Sequence, residues 1–301
     1  MIKGLAITPP TLGRISIGKV VEKHGKRLPE KDDQFTITSQ IQGKDGWLPH
    51  PLDEQLRKDQ GGKIRSIPVR LMFNDPNLNF RAEYTLFDRA NGRPICVGNG
   101  ESCKRRTEDG VKSYPCPSPD ACTLARGNAC KPYGRLSVLL GDDDPLGSFV
   151  FRTTGYNSIR TLSARLQYFQ AISGDQLACL PLELRLRGKS TRQSLGTPIY
   201  YVDLTPRSGL STDDMLAQAK IMAEARQQAG FNQEALDQVA RNGFENGAFE
   251  DGEDENEVLM DEFFTGGAEI DDVQPPDSGP GAALLTQKLE AKAEAMQKGG
   301  S

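Results

Sequence analysis

Four cysteines, Cys103, Cys116, Cys122 and Cys130, stand with 12, 5 and 7 residues between them. Thiolates are the usual ligands of structural zinc, and four of them complete a tetrahedron. The intervening peptide is polar and carries Pro115, Pro117, Pro119 and Gly127. Such a stretch cannot fold by burial, so a bound metal would supply its ordering free energy. Five of the six cysteines fall within the 35 residues from Cys96 to Cys130. No two share the tight CxxC spacing, so a redox thiol cluster and simply packed cysteines stand as alternatives. Cys96, in Pro94-Ile95-Cys96-Val97, reads as strand and core. Cys179, beside Leu177 and Leu180, also reads as core.

A catalytic zinc keeps an open position and usually takes a His or carboxylate ligand. The only histidines, His24 and His50, lie far from the cysteines in sequence, and His24 reads as a solvated turn residue. No HExxH, GxSxG or Walker loop occurs. The acidic turn Gly141-Asp142-Asp143-Asp144-Pro145 could take a divalent cation, but its partners would have to come from elsewhere. The expectation is a non-enzyme with one structural zinc and no small-molecule substrate.

Basic and aromatic groups crowd the same region. Lys104, Arg105 and Arg106 follow a candidate ligand directly, and Arg126, Lys131 and Arg135 stand near the others. Guanidinium groups on a metal-ordered loop can hold phosphates in fixed geometry, and Tyr114 and Tyr133 could stack on bases. The competing reading is a solubilised surface loop. Arg160, Arg165, Arg185, Arg187 and Lys189 extend the basic inventory.

The elements that must position these groups are mostly strands. Ile15, Ile17, Val20 and Val21 predict a strand, followed by a polar turn around 23–33 and a second strand with Phe35 and Ile37. Strands over 63–73 and 78–87 flank Asn74-Asp75-Pro76-Asn77, which reads as a hairpin loop. The insert spans 96–135, with strand returning at 134–140 and again at 149–152. Ile159, Leu162, Leu166 and Phe169 mark a helix capped by Asn157 and ended by Gly174. Strands at 180–186 and 198–204 close the body. The fold class is α+β: a mostly antiparallel β domain over 1–205 with one packed helix.

Beyond it, Ser211-Thr212-Asp213-Asp214 resembles a capping box opening an alanine-rich helix to about Gln228. Asn232 caps a second helix through Val239, within a helical extension over 206–242. Residues 243–281 read as a disordered acidic linker and 282–301 as a marginal helix.

Charge divides the chain as sharply as composition does. Between Asn242 and Gln287 there are 13 Asp and Glu and no Lys or Arg, so the formal −4 divides into −13 there and +9 elsewhere. A basic body can attract a polyanion, and an acidic arm can compete with it. Phe244, Phe249, Leu259, Phe263 and Phe264 lie among the acids, a pattern suited to docking into basic grooves or recruiting proteins. Mean hydropathy of −0.52 agrees with a normal core plus a stretch outside it. No apolar run reaches the roughly 18 residues of a membrane span. No signal-peptide pattern opens the chain, so the expectation is a cytoplasmic, reducing location without membrane contact.

Cys96-Val97-Gly98-Asn99-Gly100-Glu101-Ser102-Cys103, then Cys116, Cys122 and Cys130-Lys131-Pro132-Tyr133-Gly134-Arg135-Leu136, resemble the recombination directionality factor-like proteins of phages and integrative elements. Ile15-Ser16-Ile17-Gly18 is also similar, and the resemblance covers about residues 1–205. In that family, accessory proteins bind a serine integrase and switch it from integration to excision. The resemblance implies a DNA-recombination accessory factor whose partners are DNA, single-stranded or duplex, a recombinase, or both. The rival expectation is a single-stranded DNA-binding protein whose acidic tail recruits partners.

Overall fold

A computed structural model describes residues 10–249, apart from 24–25, 44–45, 89–90, 127–128, 143–146, 191–197 and 245–248. His24, most of the acidic arm and the helix expected at 282–297 lie outside the described residues.

The fold is α+β with a mostly antiparallel sheet. Its strands are β1 (Thr11–Lys23), β2 (Lys26–Gly43), β3 (Gly46–Pro49), β4 (Ser66–Arg70), β5 (Phe80–Phe87), β6 (Pro94–Gly98), β7 (Ser102–Thr107), β8 (Gly110–Pro115), β9 (Cys130–Leu140), β10 (Ser148–Thr153), β11 (Leu182–Lys189) and β12 (Ile199–Pro206). The main run is ordered β3-β2-β1-β10-β9-β5-β6-β7-β8, and β4 joins β9 to a β11–β12 pair. Only the β1–β10 pairing within this run is parallel. The helices are α1 (Pro51–Asp59), α2 (Pro76–Asn79), α3 (Tyr156–Ser173), α4 (Thr212–Gln228) and α5 (Gln233–Phe244).

Strand alternation gives the main sheet two unlike faces. Ile15, Phe80, Leu136, Val138, Phe149 and Phe151 point inward and are buried in one core. Against them pack Ile159, Leu162, Leu166 and Phe169 of α3, spaced 3, 4 and 3 apart so that they share one helical stripe. Ile67, Val69, Leu182, Leu184, Val202 and Leu204 complete the core from the β4–β11–β12 side. α4 begins with the expected capping box at Ser211 and Asp214, and it buries Met215 and Ala219 in the same core. α5 packs Ala240 and Leu236 on Met72, Phe73 and Leu139.

Several sequence expectations are corrected. The segment 23–33 is not a broad turn but the outer part of a long β1–β2 hairpin, with Lys23 paired to Lys26 and Lys19 to Glu30. Asn74–Asn77 does not join a hairpin: β4 pairs with β11 and β9, whereas β5 pairs with β9 and β6. The buried Asn79 side chain explains the break, because its Oδ1 accepts from Met72 N at 3.0 Å and Phe73 N at 3.1 Å. Those amides are thereby withdrawn from strand pairing, and Asp75 caps the short α2 instead. α1 was not expected. Its buried Asp53 accepts from Ile37 N at 2.8 Å and from Arg57 Nε at 2.6 Å, tying the helix to β2. α3 starts after Gly155, two residues before the expected cap, and Gly174 ends it at φ 58°, ψ 52°, as expected. α5 continues five residues past Val239, to Phe244.

Asp142 illustrates how the acidic turn is used. It accepts from Arg70 Nε at 2.5 Å and Arg207 Nη1 at 2.7 Å. The Arg207 hydrogen bond, with help from Arg70, lowers its pKa to about 2. The two arginines thus compete for the carboxylate that a cation site there would need. A carboxylate with a depressed folded pKa adds stability above its unfolded value and loses it as pH falls through the folded one. Wild type should therefore lose a stabilising contribution between about pH 4 and pH 2 that Asp142→Asn lacks. With the side chain 43% exposed, the difference at neutral pH should be about 1 kcal/mol. Thermal melts of both proteins across this range test it.

Candidate metal centre and basic face

Five cysteines gather at the β6–β8 end of the sheet. Register places Cys130 opposite Leu86, Leu86 opposite Cys96, and Gly98 opposite Cys103. Paired residues share a face, so Cys96, Cys103 and Cys130 all lie on the inward side. The chain after β8 then folds back over that side. Cys116 N donates to Glu101 O at 2.9 Å, and two short turns, Pro119–Ala121 and Thr123–Ala125, carry Cys122.

Gly98 makes this return possible. A Cβ there would stand 2.7 Å from Cys103 Cβ and 2.9 Å from Cys116 Sγ, so the missing side chain is the space the Cys116 thiol uses. All six cysteines are free. Burial, and then a hydrogen bond with Cys96, push the Cys103 thiol up to about 11. Burial, followed by the charges of Cys96, Cys122, Cys116 and Cys103, pushes Cys130 up to about 12. The donor set suits a thiophilic cation, which would displace the thiol protons as it bound. Among the described residues, however, no three His, Cys, Asp or Glu side chains already stand as a metal-holding group. Cys96, expected to be core, is only half-buried and borders this cluster, whereas Cys179 is buried far along the chain against Arg226.

The basic residues separate by strand parity. Arg105 faces the cysteines, where the neighbouring Cys96 raises its pKa and its guanidinium lies 4.8 Å from the Tyr114 ring. Lys104 and Arg106 face outward. The expectation that Lys104, Arg105 and Arg106 form one surface is thus corrected by the two-residue repeat of β7. Arg126 lies exposed in the loop. Lys131, Tyr133 and Arg135 share the outward face with Lys104 and Arg106.

That outward face contains a feature the sequence did not reveal. Arg135 is paired with Arg152 on one side and Arg81 on the other, so three arginines form a row across β10, β9 and β5. Arg14 is on the same face, its guanidinium 3.9 Å from the Trp47 ring. Arg81, Glu83, Thr85, Phe87, Tyr133 and Arg135 line a small, partly enclosed cavity there. Burial raises the pKa of Glu83, against the pull of Arg81, Arg135 and Lys104. Tyr133 is 9% exposed and packs edge-on to Phe87 at 5.3 Å, so it is not a stacking platform for bases. Tyr114, on the other face, is the more exposed of the two.

No described helix is long and apolar enough to cross a membrane. Residues 12–207, more than half of the chain, match a family model described as Gp3-like, recombination directionality factor-like. No curated protein and no solved structure gives a match.

Proposed function

The chain belongs to the recombination directionality factor-like family, and on that premise we propose that it is a non-enzymatic accessory factor of a phage or integrative element. It binds a site-specific recombinase, DNA, or both, and so alters which recombination reaction proceeds. The observation that carries this reading is the Arg152–Arg135–Arg81 row, extended by Lys131, Lys104 and Arg106 on the same face. Rigid strands hold these groups in register, so little side-chain entropy is lost when they meet phosphates or carboxylates. The single-stranded DNA reading draws less support, because Tyr133 is buried and Tyr114 lies on the opposite face.

The reading includes one structural zinc ion per chain, held by Cys103, Cys116, Cys122 and Cys130. The zinc fixes the loop after β8 and with it the β6–β8 end of the sheet. What supports it is the gathering of free thiols at one end of the sheet and the space that Gly98 leaves for Cys116. Metal analysis of purified protein should give about one zinc per chain. Cys116→Ser or Cys122→Ser should lower that content, and Cys179→Ser should not. Retained zinc in both loop variants would contradict the ligand set.

Salt-titrated binding to duplex DNA, single-stranded DNA and the element's own recombinase tests the function. Binding to at least one should weaken steeply with salt if phosphates or carboxylates meet this face. Failure to bind all three at low salt would contradict the proposal.

A further inference from the structure

The described end of the chain runs over the basic face. α5 sits on Leu139, an outward residue of β9, and is held by Gln233 Nε2 to Met72 O at 2.8 Å and by Arg241 Nε to Asp75 at 3.1 Å. Its last residue, Phe244, lies with its ring 4.0 Å from the Arg81 guanidinium, which also donates to the Phe244 carbonyl. The Phe249 ring then lies 5.8 Å from the Arg106 guanidinium on β7. Phe244 and Phe249 thus each place an aromatic ring on a cation of this face, one on β5 and one on β7. Thr85, Phe87, Val97 and Tyr133 on this outward face are all at least nine-tenths buried, as on a covered surface.

All but one of the 13 acids, Glu245, follow Phe249. Residues 250–262 contain eight Asp and Glu and no Lys or Arg. We propose that this acidic arm is the resident occupant of the basic face, docked along Lys104, Lys131, Arg135 and Arg152 once Phe244 and Phe249 have aligned it. The arm mimics the polyanion or acidic partner surface and must be displaced when that partner binds. Tethering keeps its local concentration in the millimolar range, so a weak interaction suffices. This inference rests on the same face as the proposed function, but it concerns the free protein.

Carbodiimide cross-linking of the full chain, mixed with a 15N-labelled copy, tests it without any partner. Links from acids in 250–262 should run mainly to Lys104 and Lys131, within single copies, and should fade at about 0.5 M salt. Links spread over the exposed Lys58 and Lys220 in proportion to exposure, or formed chiefly between copies, would overturn the proposal. A full-length variant carrying Glu250→Gln, Asp251→Asn, Glu253→Gln, Asp254→Asn, Glu255→Gln and Glu257→Gln provides a second reading. It should bind heparin roughly tenfold more tightly than wild type at low salt. In an Arg81→Gln/Arg135→Gln background the gain should shrink severalfold, and an unchanged gain would place the arm elsewhere. If the DNA and recombinase assays fail while the cross-links appear as described, the docking stands and the functional reading falls.

Discussion

Replacing Gly98 with valine is expected to dismantle the β6–β8 end of the protein while leaving the core intact. Even a Cβ would sit 2.7 Å from Cys103 Cβ, 2.9 Å from Cys116 Sγ and 2.9 Å from the Ser102 carbonyl. Valine adds two methyl groups to that collision, and the Ser102 contact is backbone, which cannot rotate away. Overpacking of this kind typically costs 1–3 kcal/mol, about a 5- to 150-fold shift in the local folding equilibrium. The cost should fall on β7, β8 and the loop carrying Cys116 and Cys122. Zinc content should drop well below one per chain, and hydrogen exchange should accelerate in residues 98–126. Exchange in α3 and β10 should change little, because their contacts lie in the separate core of Leu136, Phe151, Leu162 and Leu166. Full zinc content and wild-type exchange in the valine variant would mean that the Cys116 thiol does not need this space.

Reversing charge at the centre of the outward face should have the largest functional effect. The Arg81→Glu/Arg135→Glu double variant places two acids between Arg152 and Glu83, in the row where three cations now stand. Breaking a well-formed charged contact at an interface typically costs 2–5 kcal/mol. The double reversal should therefore weaken partner binding by at least about 100-fold at low salt, with a shallower salt dependence. Arg81 also pairs with Glu83 at 3.5 Å and carries the Phe244 contact, so the reversal removes internal contacts too. Arg81→Gln/Arg135→Gln separates the two effects. It should melt closer to wild type than the reversal does and lose about tenfold in binding. Calorimetry or anisotropy with the partner, alongside thermal melts, reads both.

The elements that were legible in the sequence were those specified by local pattern. Ile159, Leu162, Leu166 and Phe169 trace the buried stripe of α3, whereas β5 departs from the simple alternation, since Thr85 and Phe87 are buried and Ala82, Tyr84 and Leu86 only partly so. Ser211 and Asp214 formed the capping box their spacing implies. What stayed hidden depends on partners distant in sequence. The Asn74–Asn77 segment has hairpin residues, but Asn79 binds the two amides before it and β4 finds β11 more than a hundred residues later. α1 is anchored through Asp53 to Ile37 N, a bond that no local pattern announces.

The same distinction governs the site. Clustering in sequence picked out the cysteines and the neighbouring cations. Parity within β7 could have separated Arg105 from Lys104 and Arg106, but only if that stretch were known to be strand. The Arg152–Arg135–Arg81 row requires the register of three strands at once, from residues 81 to 152. Cys96 joins the thiol neighbourhood for the same reason, through its pairing with Leu86 and, beyond it, Cys130.

We propose that this chain changes the direction of a recombinase through its basic face. This role is tested most directly by adding purified protein to the serine integrase of the same element. Two reactions should be followed side by side, joining of the parental sites and resolution of the hybrid sites. Wild type is expected to suppress the first and promote the second, while Arg81→Glu/Arg135→Glu does neither and Arg81→Gln/Arg135→Gln falls between. Both reactions proceeding at the same rate with and without the wild-type protein, at concentrations where it is folded, would contradict this role.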